Sequence, residues 1–223
     1  MKTLRLTVKD FKETNFYWKE YIGTEDVSDY DGNIEIEANL GYVRFDSLKA
    51  KGYIIAESGS GIKAGDGIKA GYGIEAGEGI EAGYGIKAGE DIEAGYGIKA
   101  GEDIKAGWGI EAGDCIEAGW GIEAGYGIKA GDCIEAGWGI EAGEGIEAGL
   151  SITCKLSLNI AYRIFAGLAL WKETVTDEEK TITCGKLERG EVCYGILKET
   201  GMPDAKKNPT EKTIDGAVYV LKS

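Results

Sequence analysis

Isoleucine recurs every six residues from Ile62 to Ile146, fifteen times in unbroken phase, and alanine stands two positions after each one. A Glu or Lys separates the two apolar residues, so each triplet alternates in, out, in, the period of a short strand. Between triplets lies Gly-X-Gly, in which the third residue is sometimes Asp or Cys. That tripeptide predicts a turn, with glycine supplying a positive φ. A helix is excluded because two or three glycines per hexad would each cost about 1 kcal/mol relative to alanine. A lone hexad buries nothing, so successive coils must stack around a narrow Ile and Ala core. The pattern therefore predicts an all-β fold, a parallel β-solenoid.

The six-residue grid outlasts the glycines. Ile152 with Cys154, Leu158 with Ile160, Ile164 with Ala166, and Leu170 all fall on it, and Ile182 with Cys184 rejoin it after TVTDEEK, a predicted loop excursion. These bounds place the solenoid at 56–170, between two β-rich caps. The N-terminal cap, 1–55, holds LRLTV, NIEIEA and YVRFDSL, with Phe11, Phe16, Tyr17 and Trp18 as the bulk that plugs the first coil. The C-terminal cap, 171–223, holds GEVCYGILKETG and AVYVLKS as strands around a Lys-rich loop at 206–212. Capped ends argue against a filament, since only open edges template polymers, and leave a discrete homo-dimer open.

The X slot decides the number of hexads per coil. From Asp66 to Asp114 it alternates acid and aromatic. Two hexads per coil would stack Asp66, Glu78, Glu90, Glu102 and Asp114 about 4.8 Å apart, a ladder of like charges. With three per coil the columns become Asp66, Tyr84, Glu102, Trp120 and Tyr72, Glu90, Trp108, Tyr126, so that acids mostly alternate with rings. Three is preferred, and it sets Cys115 above Cys133. A ring at a corner can cover the bare glycines of the next coil while the acids keep the column soluble.

This period, with its turn glycine in Ala-Gly-X-Gly-Ile, resembles the left-handed parallel β-helix of hexapeptide repeats, whose coils are triangular. The resemblance spans about half the chain, with the large and small inward residues exchanged relative to that family. It implies a triangular left-handed β-helix in which Asp91 and Asp103 occupy left-handed positions. Many members of that family are acyltransferases that depend on a histidine between coils. This chain contains no histidine, so only the architecture carries over.

The missing histidine also excludes Ser-His-Asp, Cys-His and His-ligated metal chemistry. A narrow aliphatic core leaves little room for a catalytic pocket, so no enzyme, no catalytic or metal-binding residue and no cofactor is expected. Five cysteines, an odd number without CxxC spacing, point to reduced thiols rather than a disulfide framework. The charged start MKTLRLTVKDFKE and the lack of a long apolar run predict a cytoplasmic protein that does not engage a membrane.

Net charge is −14, and residues 61–149 carry eighteen Asp and Glu against six Lys. Three hexads per coil make that segment about 24 Å long, or one net negative charge per roughly 2 Å, beside about 1.7 Å for duplex DNA. From Trp108 to Gly149 there are nine acids and one lysine, Lys129. The candidate interface is therefore Glu111, Asp114, Glu117, Glu123, Asp132, Glu135, Glu141 and Glu144 as the field, with Trp108, Trp120 and Trp138 as ring anchors. Such a rod would fit a basic nucleic-acid-binding protein and would repel nucleic acid itself. The expected function is inhibition by nucleic-acid mimicry, by analogy with acidic phage inhibitors of restriction or CRISPR systems. A structural module that self-associates through its aromatic face is the alternative. The plainer possibility is a solvated surface in which Lys63, Lys87 and Lys99 balance neighbouring acids.

Overall fold

The computed structural model describes residues 1–14 and 17–202, and the backbone of 211–214 and 217–220. It is a parallel β-solenoid of about nine turns with repeats of about 18 residues. Strands eighteen residues apart pair in parallel and in register, Ile74 beside Ile92 beside Ile110, Ile80 beside Ile98, and Ile86 beside Ile104. Each coil thus contains three strands, and the molecule has three faces. Face I stacks 48–50, 68–70, 86–88, 104–106, 122–124, 140–142 and 158–160. Face II carries 74–76, 92–94, 110–112, 128–130 and 146–148. Face III carries 80–82, 98–100, 116–118, 134–136 and 152–154.

Every isoleucine of the repeat is at most 2% exposed and every alanine at most 8%. Burying one such isoleucine contributes about 2 kcal/mol, whereas ordering its three-residue strand costs about 3–6 kcal/mol of backbone entropy. No hexad is stable alone, which is why the coils occur only as a stack.

The turn glycines serve a different purpose from the one the sequence predicts. Positive φ occurs at Gly41, Gly59, Gly167, Gly190, Gly195, Gly201 and Asn39 among the described residues, and at no turn within 62–148. Asp91 and Asp103 accordingly do not occupy left-handed positions. From Gly71 to Gly149 the first glycine of each turn is needed for close approach. A Cβ on Gly89 would sit 2.0 Å from the Gly71 carbonyl oxygen, and one on Gly125 would sit 2.0 Å from that of Gly107. The second glycine is looser, since a Cβ on Gly127 meets only the Gly145 carbonyl at 3.5 Å. That slack explains why Asp91, Asp103, Cys115 and Cys133 appear in the second slot and no side chain appears in the first. The acids there are put to use: Asp91 Oδ1 accepts the Gly109 N–H at 2.7 Å and Asp103 Oδ1 accepts that of Gly121 at 2.9 Å.

The ladders extend beyond 56–170 at both ends. Lys2–Leu6 pairs with Gly32–Ile36, which pairs with Ile54–Ala56, and Gly41–Phe45 pairs with Ser60–Ala64. Phe11, opposite Tyr21 in an antiparallel pair, meets both Tyr21 and Phe45 edge-on at 5.8 Å and closes this end. Of the other proposed plug residues, Tyr17 precedes the strand and is 99% exposed, and Phe16 lies outside the described residues. Trp18 is half-buried with Arg44 and Lys63 over its ring.

At the other end, Ser157–Ala166 runs through one corner as a single strand pairing with both 140–142 and 146–148. The chain leaves the ladder at Gly167 (φ +91) and returns at Thr181–Cys184, where Ile182 stacks beside Ile152. Leu170 falls in this excursion and is 99% exposed, so its place on the grid is arithmetical only. Lys186–Tyr194 extends faces I and II, Ile196–Glu199 extends face III, and Glu211–Ile214 pairs antiparallel with Ala217–Val220. The remainder of the Lys-rich loop at 206–212 lies outside the described residues.

Candidate functional site

Contiguity in sequence becomes dispersal in space, because consecutive hexads occupy consecutive faces. Glu123 and Glu141 stack on face I, Glu111 lies on face II, and Glu117 and Glu135 stack on face III. Trp120 and Trp138 share the corner leading into face I, Trp108 and Glu144 the corner leading into face II, and Asp114 and Asp132 the corner leading into face III. The eleven candidate residues therefore encircle the rod instead of forming one patch.

The backbone ladder holds these columns rigidly. The Trp138 N–H donates to the Trp120 carbonyl at 2.8 Å, and the two indoles stack at 5.5 Å and 10°, both about half exposed. In the third corner the Asp132 N–H donates to the Asp114 carbonyl at 3.2 Å.

Lysines one coil away neutralise part of the field. Lys99 pairs with Glu117, Lys105 with Glu123 at 3.1 Å, and Lys129 with Glu111 at 2.9 Å. In each case a hydrogen bond from the ammonium to its carboxylate raises the lysine pKa. Lys63 likewise pairs with Glu81. Among the described residues no Lys or Arg lies within 4.0 Å of Asp114, Asp132, Glu135, Glu141 or Glu144.

The X slot does not show the charge columns in the middle of the strands. Face II stacks Glu75, Glu93 and Glu111 beside Asp91, and Asp91, Glu93 and Glu111 border a groove of about 380 Å³ with Lys129, Glu147 and Arg163. Burial, then Glu75, Asp91 and Glu111, push the Glu93 pKa above the usual carboxylate value. A carboxyl whose folded pKa is raised favours folding most below its unfolded pKa, and that contribution is lost as pH rises through the folded value. Glu93→Gln should therefore raise the unfolding midpoint at pH 7 by about 1 °C, and the gain should vanish as pH falls below the carboxylate range. Thermal melts at both pH values check this. Face I carries the opposite arrangement, a column of lysines at 49, 69, 87 and 105. Reading the Glu/Lys slot at a spacing of eighteen residues reveals both columns.

The cysteines depart from the all-reduced expectation. Cys115 and Cys133, one coil apart with Cα atoms at 4.6 Å, form a disulfide, because the stacking that superimposes them also brings their sulfurs together. Cys154, Cys184 and Cys193 are free. Burial raises the Cys154 pKa to about 12, which keeps that thiol protonated and inert.

Among the described residues no group of three or more His, Cys, Asp or Glu side chains could hold a metal ion, and no helix is long and apolar enough to cross a membrane. Comparison with protein-family models, curated protein sequences and solved structures finds no match.

Proposed function

We propose that this protein is a non-enzymatic acidic binder that mimics nucleic acid and inhibits a nucleic-acid-binding protein, as phage or mobile-element inhibitors of CRISPR or restriction systems do. The supporting observation is that Asp114, Asp132, Glu135, Glu141 and Glu144 have no cation within 4.0 Å among the described residues while standing on a rigid ladder. Residues 108–149 carry nine acids and one lysine, and Lys99 and Lys105 reach in from the preceding coil. Counting both lysines against it, the segment keeps about six negative charges over roughly 11 Å. That is one per about 2 Å, close to the phosphate density of a duplex. Because the acids encircle the rod, the fitting partner is a groove or channel that wraps nucleic acid, with Trp108, Trp120 and Trp138 as anchors at its walls. The reading places the protein in the cytoplasm with its target.

Binding of such a target should fall at least about tenfold between roughly 50 and 300 mM salt. A second loss of at least about tenfold should follow the joint change Asp132→Asn, Glu135→Gln, Glu141→Gln and Glu144→Gln, with the fold intact by circular dichroism. The assay is capture of basic nucleic-acid-binding proteins followed by competition with their own nucleic acid. Recovery of no such protein, or binding indifferent to salt and to these four changes, overturns the reading.

The exposed Trp120–Trp138 stack supports a second reading, a structural module assembled through its rings. Association of that kind holds or tightens as salt rises.

A further inference from the structure

Face I is the one face whose outward column changes sign halfway along. In coil order it reads Lys49, Lys69, Lys87, Lys105, Glu123, Glu141 and Asn159, all in register. Arg189 continues the column opposite Asn159, and Glu188, in the bulge just before it, borders the same shallow groove as Glu123, Glu141 and Asn159. Lys49, Lys69 and Lys87 are exposed, and among the described residues none has a carboxylate within 4.0 Å. Three unpaired ammonium groups about 4.8 Å apart repel one another and gain nothing from the fold, so this column lacks a counterpart.

We infer that the counterpart is face I of a second copy of this chain, packed antiparallel about a two-fold axis lying between the coils of Lys105 and Glu123. That operation sets Lys105 against Glu123 of the second copy, Lys87 against Glu141, Lys69 against Asn159 and Lys49 against the Glu188–Arg189 bulge. Lys105, Lys87 and Lys69 each meet an acid or an amide, and symmetry repeats each contact. Parallel packing would set lysine on lysine. The two-fold also keeps each corner on its own side. Trp138 then faces Tyr84 of the second copy, Trp108 faces Tyr126, and Tyr72 faces Tyr162, and all six rings are substantially exposed in the single chain. The like-signed appositions are Glu90 with Glu144 and, at the ends, Lys49 with Arg189, which Glu188 offsets. Eight coil levels span about 34 Å, and a face about 16 Å wide then buries roughly 500 Å² per copy, near the lower size of a specific interface.

This inference does not rest on the proposed target. Dimerisation would cover Glu123, Glu141, Trp108 and Trp138 together with the lysine column, so the second copy and a wrapping target would compete for face I, and failure of dimerisation would leave target binding where it stands.

Carbodiimide coupling of the unaltered chain, followed by peptide mass spectrometry, tests the arrangement directly. Lys87–Glu141 and Lys49–Glu188 links are expected. Within one chain these pairs lie three and seven coil levels apart, about 14 and 34 Å, too far for a zero-length bond. In sedimentation, K87E and E141K should each raise the dimer dissociation constant at least about tenfold. The one-to-one mixture of the two variants, and the double variant K87E/E141K, should return to within about threefold of the original. A wild-type chain that stays monomeric to about 100 μM, absence of both long-range links, or a mixture that does not recover overturns the inference. It is also overturned if the monomer retains heparin or duplex DNA through Lys69 and Lys87, since the column would then serve a polyanion.

Discussion

Replacing Gly125 with alanine should lower stability by at least about 3 kcal/mol, an unfolding midpoint at least about 8 °C lower, while the same change at Gly127 should be close to neutral. The two glycines flank Tyr126 in one turn and look equivalent in sequence. In the structure a methyl at 125 would lie 2.0 Å from the Gly107 carbonyl oxygen and 3.0 Å from its carbonyl carbon. Neither atom can retreat, because the Gly125 N–H donates to the Ala106 carbonyl at 3.2 Å and the Tyr126 N–H to the Trp108 carbonyl at 2.9 Å, locking the two coils at that spacing. Relief requires breaking the ladder on both sides of the corner. At Gly127 the added methyl meets only the Gly145 carbonyl at 3.5 Å, ordinary contact, and φ is not positive there. That substitution also removes freedom from the unfolded chain, worth up to about 1 kcal/mol in favour of the variant. Denaturant unfolding of the two variants in parallel settles the matter, and equal losses would refute the close-approach account of the repeat.

That contrast shows where the sequence stops being informative. Strand, inward face and stacking were legible because Ile and Ala at a separation of two, repeated every six residues, allow one arrangement only. The coil of three hexads was legible from the alternation of acid and ring in the X slot. The distinction between the two turn glycines was not, since it depends on a contact between residues eighteen apart that leaves the same letter in both places. Only the intrusions of Asp91, Asp103, Cys115 and Cys133 into the second slot betray it. The same eighteen-residue spacing had superimposed Cys115 and Cys133, and an odd cysteine count outweighed that proximity, although nearness in the fold decides pairing and parity does not. The candidate acids formed a single run in sequence and five columns in space, on three faces and two corners. The count of one lysine in 108–149 also overlooked Lys99 and Lys105, which pair with Glu117 and Glu123 from the preceding coil.

Truncating Ile116 to alanine should cost about 3 kcal/mol, and Ile116→Val about 1 kcal/mol, with losses that depend on the neighbouring coils rather than on the whole molecule. Ile116 is fully buried and pairs with Ile98 on one side and Ile134 on the other. A globular core can partly collapse around such a void. Here the ladders fix the backbone on all three faces, so the cavity persists and its cost approaches the full range for lost methylenes. Energetics should then follow the column. Ile116→Val combined with Ile134→Val, one coil apart, should depart from additivity by at least about 0.5 kcal/mol. Ile116→Val combined with Ile62→Val, three coils apart, should add to within about 0.3–0.5 kcal/mol. Amide exchange in Ile116→Ala should show lost protection concentrated in 98–100 and 134–136, the strands paired with 116–118. Uniform loss along the rod, or equal coupling for near and distant pairs, would mean that the solenoid melts as one unit and that its coils do not act as nearest neighbours.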